Sequence, residues 1–167
     1  MPYFVFIFYS VIVFILGACI GSFANVCIYR LPRGRSIVRP RSSCPHCGAM
    51  IAWYDNIPLL SYFLLGGKCR SCGGKIAARY FIVELLTGAL FLVIWLHYGL
   101  SIFTPAYWMI ATALIIGTFI DFDFMIIPDQ ITIGGIFAGF VFSFVFPGLH
   151  GAASAFAAFK TSFLGFL

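Results

Sequence analysis

The chain has 167 residues, 62% of them hydrophobic and 9% charged, with a mean hydropathy of +1.06 and a formal net charge of +5. A soluble domain carries about a quarter charged residues, so the composition excludes a water-soluble fold with a tail and implies one all-α polytopic membrane protein of about four to five transmembrane helices. The positive charge does not imply a nucleic-acid partner, because nine of the ten Lys and Arg lie between Arg30 and Arg79, as expected of a cytoplasmic loop between membrane spans.

The first predicted span covers residues 3–28 within an opening segment 1–29. It has no basic residue before its apolar run, and that run is too long for a cleaved secretory signal, so it reads as a retained helix. Gly17 and Gly21 form a small-xxx-small pair that lets another helix approach closely. Asn25 needs a protein or interfacial partner. Cys19 and Cys27 are eight apart and read as packing residues rather than ligands.

Arg30-Leu31-Pro32-Arg33-Gly34-Arg35 ends the span with charge and helix breakers and opens the polar segment 30–79. Its centre is Cys44-Pro45-His46-Cys47 and, after 21 intervening residues, Cys69-Arg70-Ser71-Cys72. Two CxxC pairs supply four thiolates in the pattern of a tetrahedral structural zinc site made of two knuckles. Such a site has every position filled by protein, so its role is to fold the loop and not to activate water. Gly48, Gly73 and Gly74 stand where the knuckle turns need positive φ. His46, inside the first knuckle, is not read as a ligand. The competing reading is free thiols or a redox pair. Between the knuckles, the segment 53–62 is aromatic but too short to span, and is expected at headgroup level.

Residues 80–99 form the next span. Glu84, one turn inside it, reads as an interfacial or dipole-compensating charge, with a site residue as the competing reading. His97 reads as interfacial. Residues 106–120 return inward to Asp121-Phe122-Asp123-Phe124-Met125-Ile126-Ile127-Pro128-Asp129. Three of the chain's five acidic residues fall in these nine positions. Pro128 breaks the helix nearby, leaving Asp121 at a helix end. Ionisable groups at membrane depth are expected to be functional, and a membrane–water boundary marker is the alternative. Residues 131–146 lead out again with Gly134, Gly135 and Gly139 as close-packing positions, 147–151 turn, and 152–167 begin another inward span in which Lys160 must snorkel or find a partner.

Taken in order, these motifs resemble the type IV prepilin leader peptidase/N-methyltransferase family of aspartic membrane peptidases. The matching residues are Gly21-Ser22-Phe23, Asn25-Val26, Arg30-Leu31-Pro32, the double CxxC loop, Trp53-Tyr54-Asp55-Asn56-Ile57-Pro58, Gly67-Lys68-Cys69, Arg79-Tyr80, Glu84-Leu85, and Asp121 with Asp123, Ile127, Pro128 and Asp129. The resemblance implies a multi-pass protein of the bacterial inner membrane, with residues 30–79 as a cytoplasmic zinc-knuckle domain and 80–167 as part of an aspartic peptidase domain. It implies cleavage of leaders from prepilin or pseudopilin precursors at the cytoplasmic face, and methylation of the new N-terminus.

On that resemblance Asp121 is a catalytic aspartate and Asp123 and Asp129 support it. Gly67 and Lys68 are associated with methyl transfer from S-adenosylmethionine, and Cys44, Cys47, Cys69 and Cys72 hold zinc. Aspartic chemistry needs two carboxylates, one deprotonating water and one donating a proton to the carbonyl. The family takes the second from a Gly-x-Gly-Asp motif that this sequence lacks. The expectation is therefore a shortened chain, inactive by itself, whose second carboxylate comes from a missing C-terminal segment or a partner chain. Two further readings are a non-catalytic membrane scaffold or adaptor that keeps the zinc loop, and a thiol oxidoreductase.

Overall fold

The structure is a computed structural model that describes residues 3–126, 128–146 and 154–166. Ile127, the expected turn at 147–151, Ala152 and Ala153 at the start of the last expected span, and Leu167 lie outside them. The elements are α1 (Tyr3–Arg30), α2 (Leu60–Leu64), α3 (Ala78–Tyr98), α4 (Phe103–Phe124), α5 (Asp129–Val145) and α6 (Ala155–Phe166), with 3-10 turns at Leu31–Arg33 and Trp53–Asn56. No strand forms among the described residues, only the isolated bridges Ser43 to Met50 and Lys68 to Lys75.

Three of these helices, α1, α3 and α4, are long and apolar enough to cross a membrane. Together with the apolar composition they make this an all-α membrane protein. The shorter α5 has 17 residues and α6 has 12, against about 20 for a full crossing. Among the described residues, three helices thus reach the length of a full crossing, and α5 and α6 fall short of it.

The centre of the molecule is the antiparallel seam of α1 and α3. A methyl added to Gly17 would stand 2.8 Å from Gly88 Cα, and one added to Gly21 would stand 2.8 Å from Glu84 Cα. Backbone thus meets backbone at these glycines, as the small-xxx-small spacing predicts. Polar groups close the seam at both ends. Asn25 Nδ2 donates to the Tyr80 carbonyl at 2.9 Å, and Trp95 Nε1 donates to Ser10 Oγ at 3.2 Å. Cys27 is buried in the apolar cluster of Ala24, Ile28, Val83 and Ile120, consistent with a packing role.

Helix α4 lies antiparallel on α3. Phe91 and Trp108 stack with ring centroids 4.8 Å apart, and the Trp108 indole donates to the Phe91 carbonyl at 3.0 Å. Tyr98 and Tyr107 stack at the far end. Since α3 runs against α1 and α4 against α3, the C-terminal end of α4 returns to the end from which residues 31–77 emerge.

One expectation about packing is corrected. A methyl added to Gly134, Gly135 or Gly139 would meet nothing within 4 Å among the described residues, so these are not close-packing positions here. Helix α5 meets α6 through the Phe140 ring, 5.5 Å from that of Phe159, and aromatic rings hold two helices further apart than facing glycines do.

Candidate functional site

The loop between α1 and α3 builds the same turn twice. In the first knuckle Cys44 N–H donates to Ala49 O and Gly48 N–H to Cys44 O, both at 2.9 Å; in the second, Cys69 N–H donates to Gly74 O at 2.8 Å and Gly73 N–H to Cys69 O at 2.9 Å. Gly48 and Gly73 take φ of +72° and +68°, which costs a residue with a Cβ and not glycine. Gly74 does not share that conformation, correcting the expectation. It must be small for another reason: a Cβ there would lie 2.9 Å from His46 Cδ2 and 3.2 Å from Cys72 Sγ. His46 is held by its own bond, Nε2–H to the Lys75 carbonyl at 3.3 Å.

These turns bring the Sγ atoms of Cys44, Cys47, Cys69 and Cys72 within 4.8 Å of one another. Cys44 and Cys72 sulfurs are 3.9 Å apart, far beyond a disulfide bond of about 2.05 Å. A tetrahedral ion with sulfur bonds of about 2.3 Å sets its ligands about 3.8 Å apart, so the four thiols fit a metal ion. Their protonation points the same way. The N–H groups of Cys72 and Ser71 pull the Cys69 thiol down to about 6. At Cys72 the Gly74 N–H acts downward, yet the Cys47 thiol, desolvation and the Cys69 and Cys44 thiols together push it up to about 11. Sulfurs this close resist ionising together, and a bound cation removes that resistance.

The rest of the loop is tied down by an ion pair and by one carboxylate whose part in it sequence reasoning did not identify. Arg70, inside the second knuckle, grips Asp55 with Nε to Oδ2 at 2.8 Å and a terminal nitrogen to Oδ1 at 2.6 Å. The Arg70 hydrogen bonds hold the Asp55 carboxyl below the usual carboxylate range. Leu59 has φ +62° and ψ −51°, and Leu60 N–H donates to Pro58 O at 2.6 Å. This is the rare, strained γ-turn. Glu84 stabilises it from α3, its Oε2 accepting the Leu59 N–H at 2.8 Å. Glu84 thus anchors the loop, an assignment that 25 residues of separation conceal in the sequence. Gly67 has φ +66°, and a Cβ on it would lie 3.1 Å from the Tyr62 hydroxyl, so its glycine has a local structural reason; Lys68 beside it is exposed.

The carboxylates sit at the same end. Helix α4 continues through Asp121 and Asp123 to Phe124, and Met125 stops it in a left-handed cap (φ +53°), its N–H returning to Asp121 O at 2.8 Å. Pro128 is the N-cap of α5 and Asp129 its first residue. Residues two apart on a helix point about 200° apart. Asp123 faces α3 and pairs with Arg79, whereas the Asp121 side chain faces away, exposed and with no hydrogen bond or ion pair of its carboxylate among the described residues. Asp129 is exposed in the first turn of α5. The structure thus brings Asp121 and Asp123 to one helix end and sets Asp129 on the next helix.

Fold and site define a helical membrane protein with a four-thiol, metal-type loop and a carboxylate-bearing helix end on one side of its bundle. The chain belongs to the prepilin leader peptidase/N-methyltransferase family. The pattern described as Bacterial Peptidase A24 N-terminal domain matches residues 15–98. Among curated relatives named prepilin leader peptidase/N-methyltransferase, the chain is 43% identical over 158 residues to that of Myxococcus xanthus, covering 91% of this chain and 47% of the relative. It is 40% identical over 154 residues to that of Neisseria gonorrhoeae, covering 77% and 54%, and 39% identical over 179 residues to that of Vibrio cholerae, covering 93% and 66%. The chain thus spans about half to two thirds of the length of these relatives. No solved structure matches it.

Proposed function

We propose that these residues are part of a prepilin leader peptidase/N-methyltransferase that cleaves the leader of prepilin-like precursors at the cytoplasmic face of the bacterial inner membrane. The observation that carries the reading is the placing of Asp121. It lies in the last turn of α4 on the loop side of the bundle, exposed, while its neighbour Asp123 is engaged by Arg79. A carboxylate left open in this way is available to a peptide bond and to water.

In this reading Asp121 is one carboxylate of the pair, and Arg79 with Asp123 fixes the helix end that carries it. Asp129 begins the helix after the break. With one carboxylate ionised and the other kept protonated by that charge, the first takes a proton from water as the second donates to the carbonyl oxygen. The chain spans about half the length of these relatives, and the reading takes the second carboxylate of the pair from the part of the family's length that these residues do not cover. Zinc held by Cys44, Cys47, Cys69 and Cys72 folds the loop and takes no part in cleavage. The methyltransfer reading rests on the relatives' names, with Gly67 and Lys68 as its residues and S-adenosylmethionine as its methyl donor.

The test is a chimera in which these residues replace the matching part of the Myxococcus xanthus relative, assayed by the size shift of a precursor in membranes. Asp121→Asn should abolish cleavage, while Asp123→Asn and Asp129→Asn retain some. Efficient cleavage by the Asp121→Asn chimera would overturn the assignment, and an inactive but zinc-loaded, folded chimera would favour a scaffold.

A further inference from the structure

Two hollows flank the Trp53–Asn56 turn and share Asn56 as a wall. Neither includes a thiol of the metal cluster or a carboxylate. The first, about 310 Å³, is walled by Arg41, Ser42, Ile51, Trp53 and Asn56. All of these side chains but Ile51 offer a hydrogen-bond donor, and Arg41 has no acidic partner among the described residues. The second, about 270 Å³, lies against the flank of α1 between Cys19 and Val26, with Phe23 and Pro58 in its wall. At about 1.5 Å per residue it reaches from about 6 to about 16 Å inside the Arg30 end of the helix, which is acyl-chain depth in a bilayer.

A molecule filling both hollows needs an acceptor-rich head and an apolar tail aligned with α1. Charge decides the sign of the head. Residues 30–79 hold nine Lys and Arg and a single acidic residue, Asp55, which Arg70 already engages. A basic, apolar peptide has the right tail and the wrong head. Trp53, 75% exposed at the mouth, is the side chain that favours headgroup level.

We propose that the two hollows form one binding site for an anionic phospholipid, with its phosphate at Arg41, Ser42 and Asn56 and an acyl chain against Phe23, Val26 and Pro58. The lipid joins the Trp53–Asn56 turn to α1 and so seats the metal loop on the leaflet.

The test uses the zinc-loaded 167-residue chain in a mild non-ionic detergent, titrated with dioleoyl phosphatidylglycerol, dioleoyl phosphatidylcholine or inorganic phosphate and read by native mass spectrometry. One phosphatidylglycerol per chain is expected, at least about tenfold tighter than phosphatidylcholine. Arg41→Gln should weaken it about five- to tenfold, the effect of one basic side chain at an anionic headgroup, with Arg41→Lys largely retaining it. Val26→Trp, which fills the apolar hollow, should weaken both lipids. Equal binding of the two lipids, or unchanged phosphatidylglycerol binding in Arg41→Gln and Val26→Trp with zinc and helicity intact, overturns the proposal. So does displacement of the lipid by equimolar phosphate, which makes the site a phosphate site. Displacement by a basic apolar peptide that binds Arg41→Gln more tightly makes it a peptide site and overturns it too.

Discussion

Replacing Gly21 with alanine tests the seam on which the bundle depends. The new methyl would stand 2.8 Å from Glu84 Cα and 3.0 Å from Thr87 Oγ1. Carbon atoms in contact prefer about 3.5–4.0 Å, so α1 and α3 must part by close to an ångström at this point. The obstacle is backbone and cannot rotate away. Overpacking of this kind costs about 1–3 kcal/mol, and the helix propensity gained on replacing glycine returns about 1 kcal/mol, leaving a net loss of up to about 2 kcal/mol. Gly17→Ala meets Gly88 Cα at the same 2.8 Å. It lies one turn away on the same seam, so the double variant should lose less than the sum, because one separation relieves both contacts.

Gly135→Ala is the control, since a methyl there meets nothing within 4 Å among the described residues; it should be neutral or slightly stabilising. Reversible unfolding in mixed micelles, followed by circular dichroism and by tryptophan emission, to which Trp95 at the α1–α3 seam contributes, measures all four variants. Gly17→Ala/Gly21→Ala as stable as the parent, with Gly135→Ala the damaging change, would refute the reasoning.

Replacing Cys44 and Cys69 with serine should abolish stoichiometric metal and leave residues 31–77 protease-sensitive, because the loop has one five-residue helix and two short 3-10 turns with which to hold itself; full zinc retention by elemental analysis would sink the four-thiol assignment. Asp55→Asn should loosen the second knuckle near neutral pH. The Asp55 carboxyl is lowered in the folded chain, so its contribution is present above the ordinary carboxylate range and fades as pH falls through the lowered value. The difference between parent and Asp55→Asn in limited proteolysis should therefore vanish in acid, and a difference that grows in acid would contradict the Arg70 pairing. Glu84→Ala should free the 57–64 segment, detected as faster amide exchange at Leu59, whereas Glu84→Gln keeps an acceptor and should change it little. Equal exchange in the two variants would show that the Leu59 bond does not hold the loop.

Much of this protein is determined by local sequence. Apolar runs longer than a membrane is thick leave the backbone only one way to satisfy its hydrogen bonds, so α1, α3 and α4 were legible from composition, and the Gly17 and Gly21 spacing foretold a close helix contact. The two CxxC pairs were legible for a similar reason: each knuckle is closed by bonds within about six residues, and its glycines are fixed by local φ. Tertiary structure decided what depends on distant residues meeting. Arg79 and Asp123 are 44 positions apart, and Glu84 and Leu59 are 25 apart, so no local pattern records either pair. The same holds for Gly74, which is small because His46 lies on it, and for the glycines of α5, which carry a packing motif with nothing to pack against among the described residues. Asp121 shows the division within one stretch. Sequence marked three acids in nine residues, but only the helical turn, which points Asp123 at α3 and Asp121 away from it, decides which of the two on α4 is paired with Arg79 and which is left open.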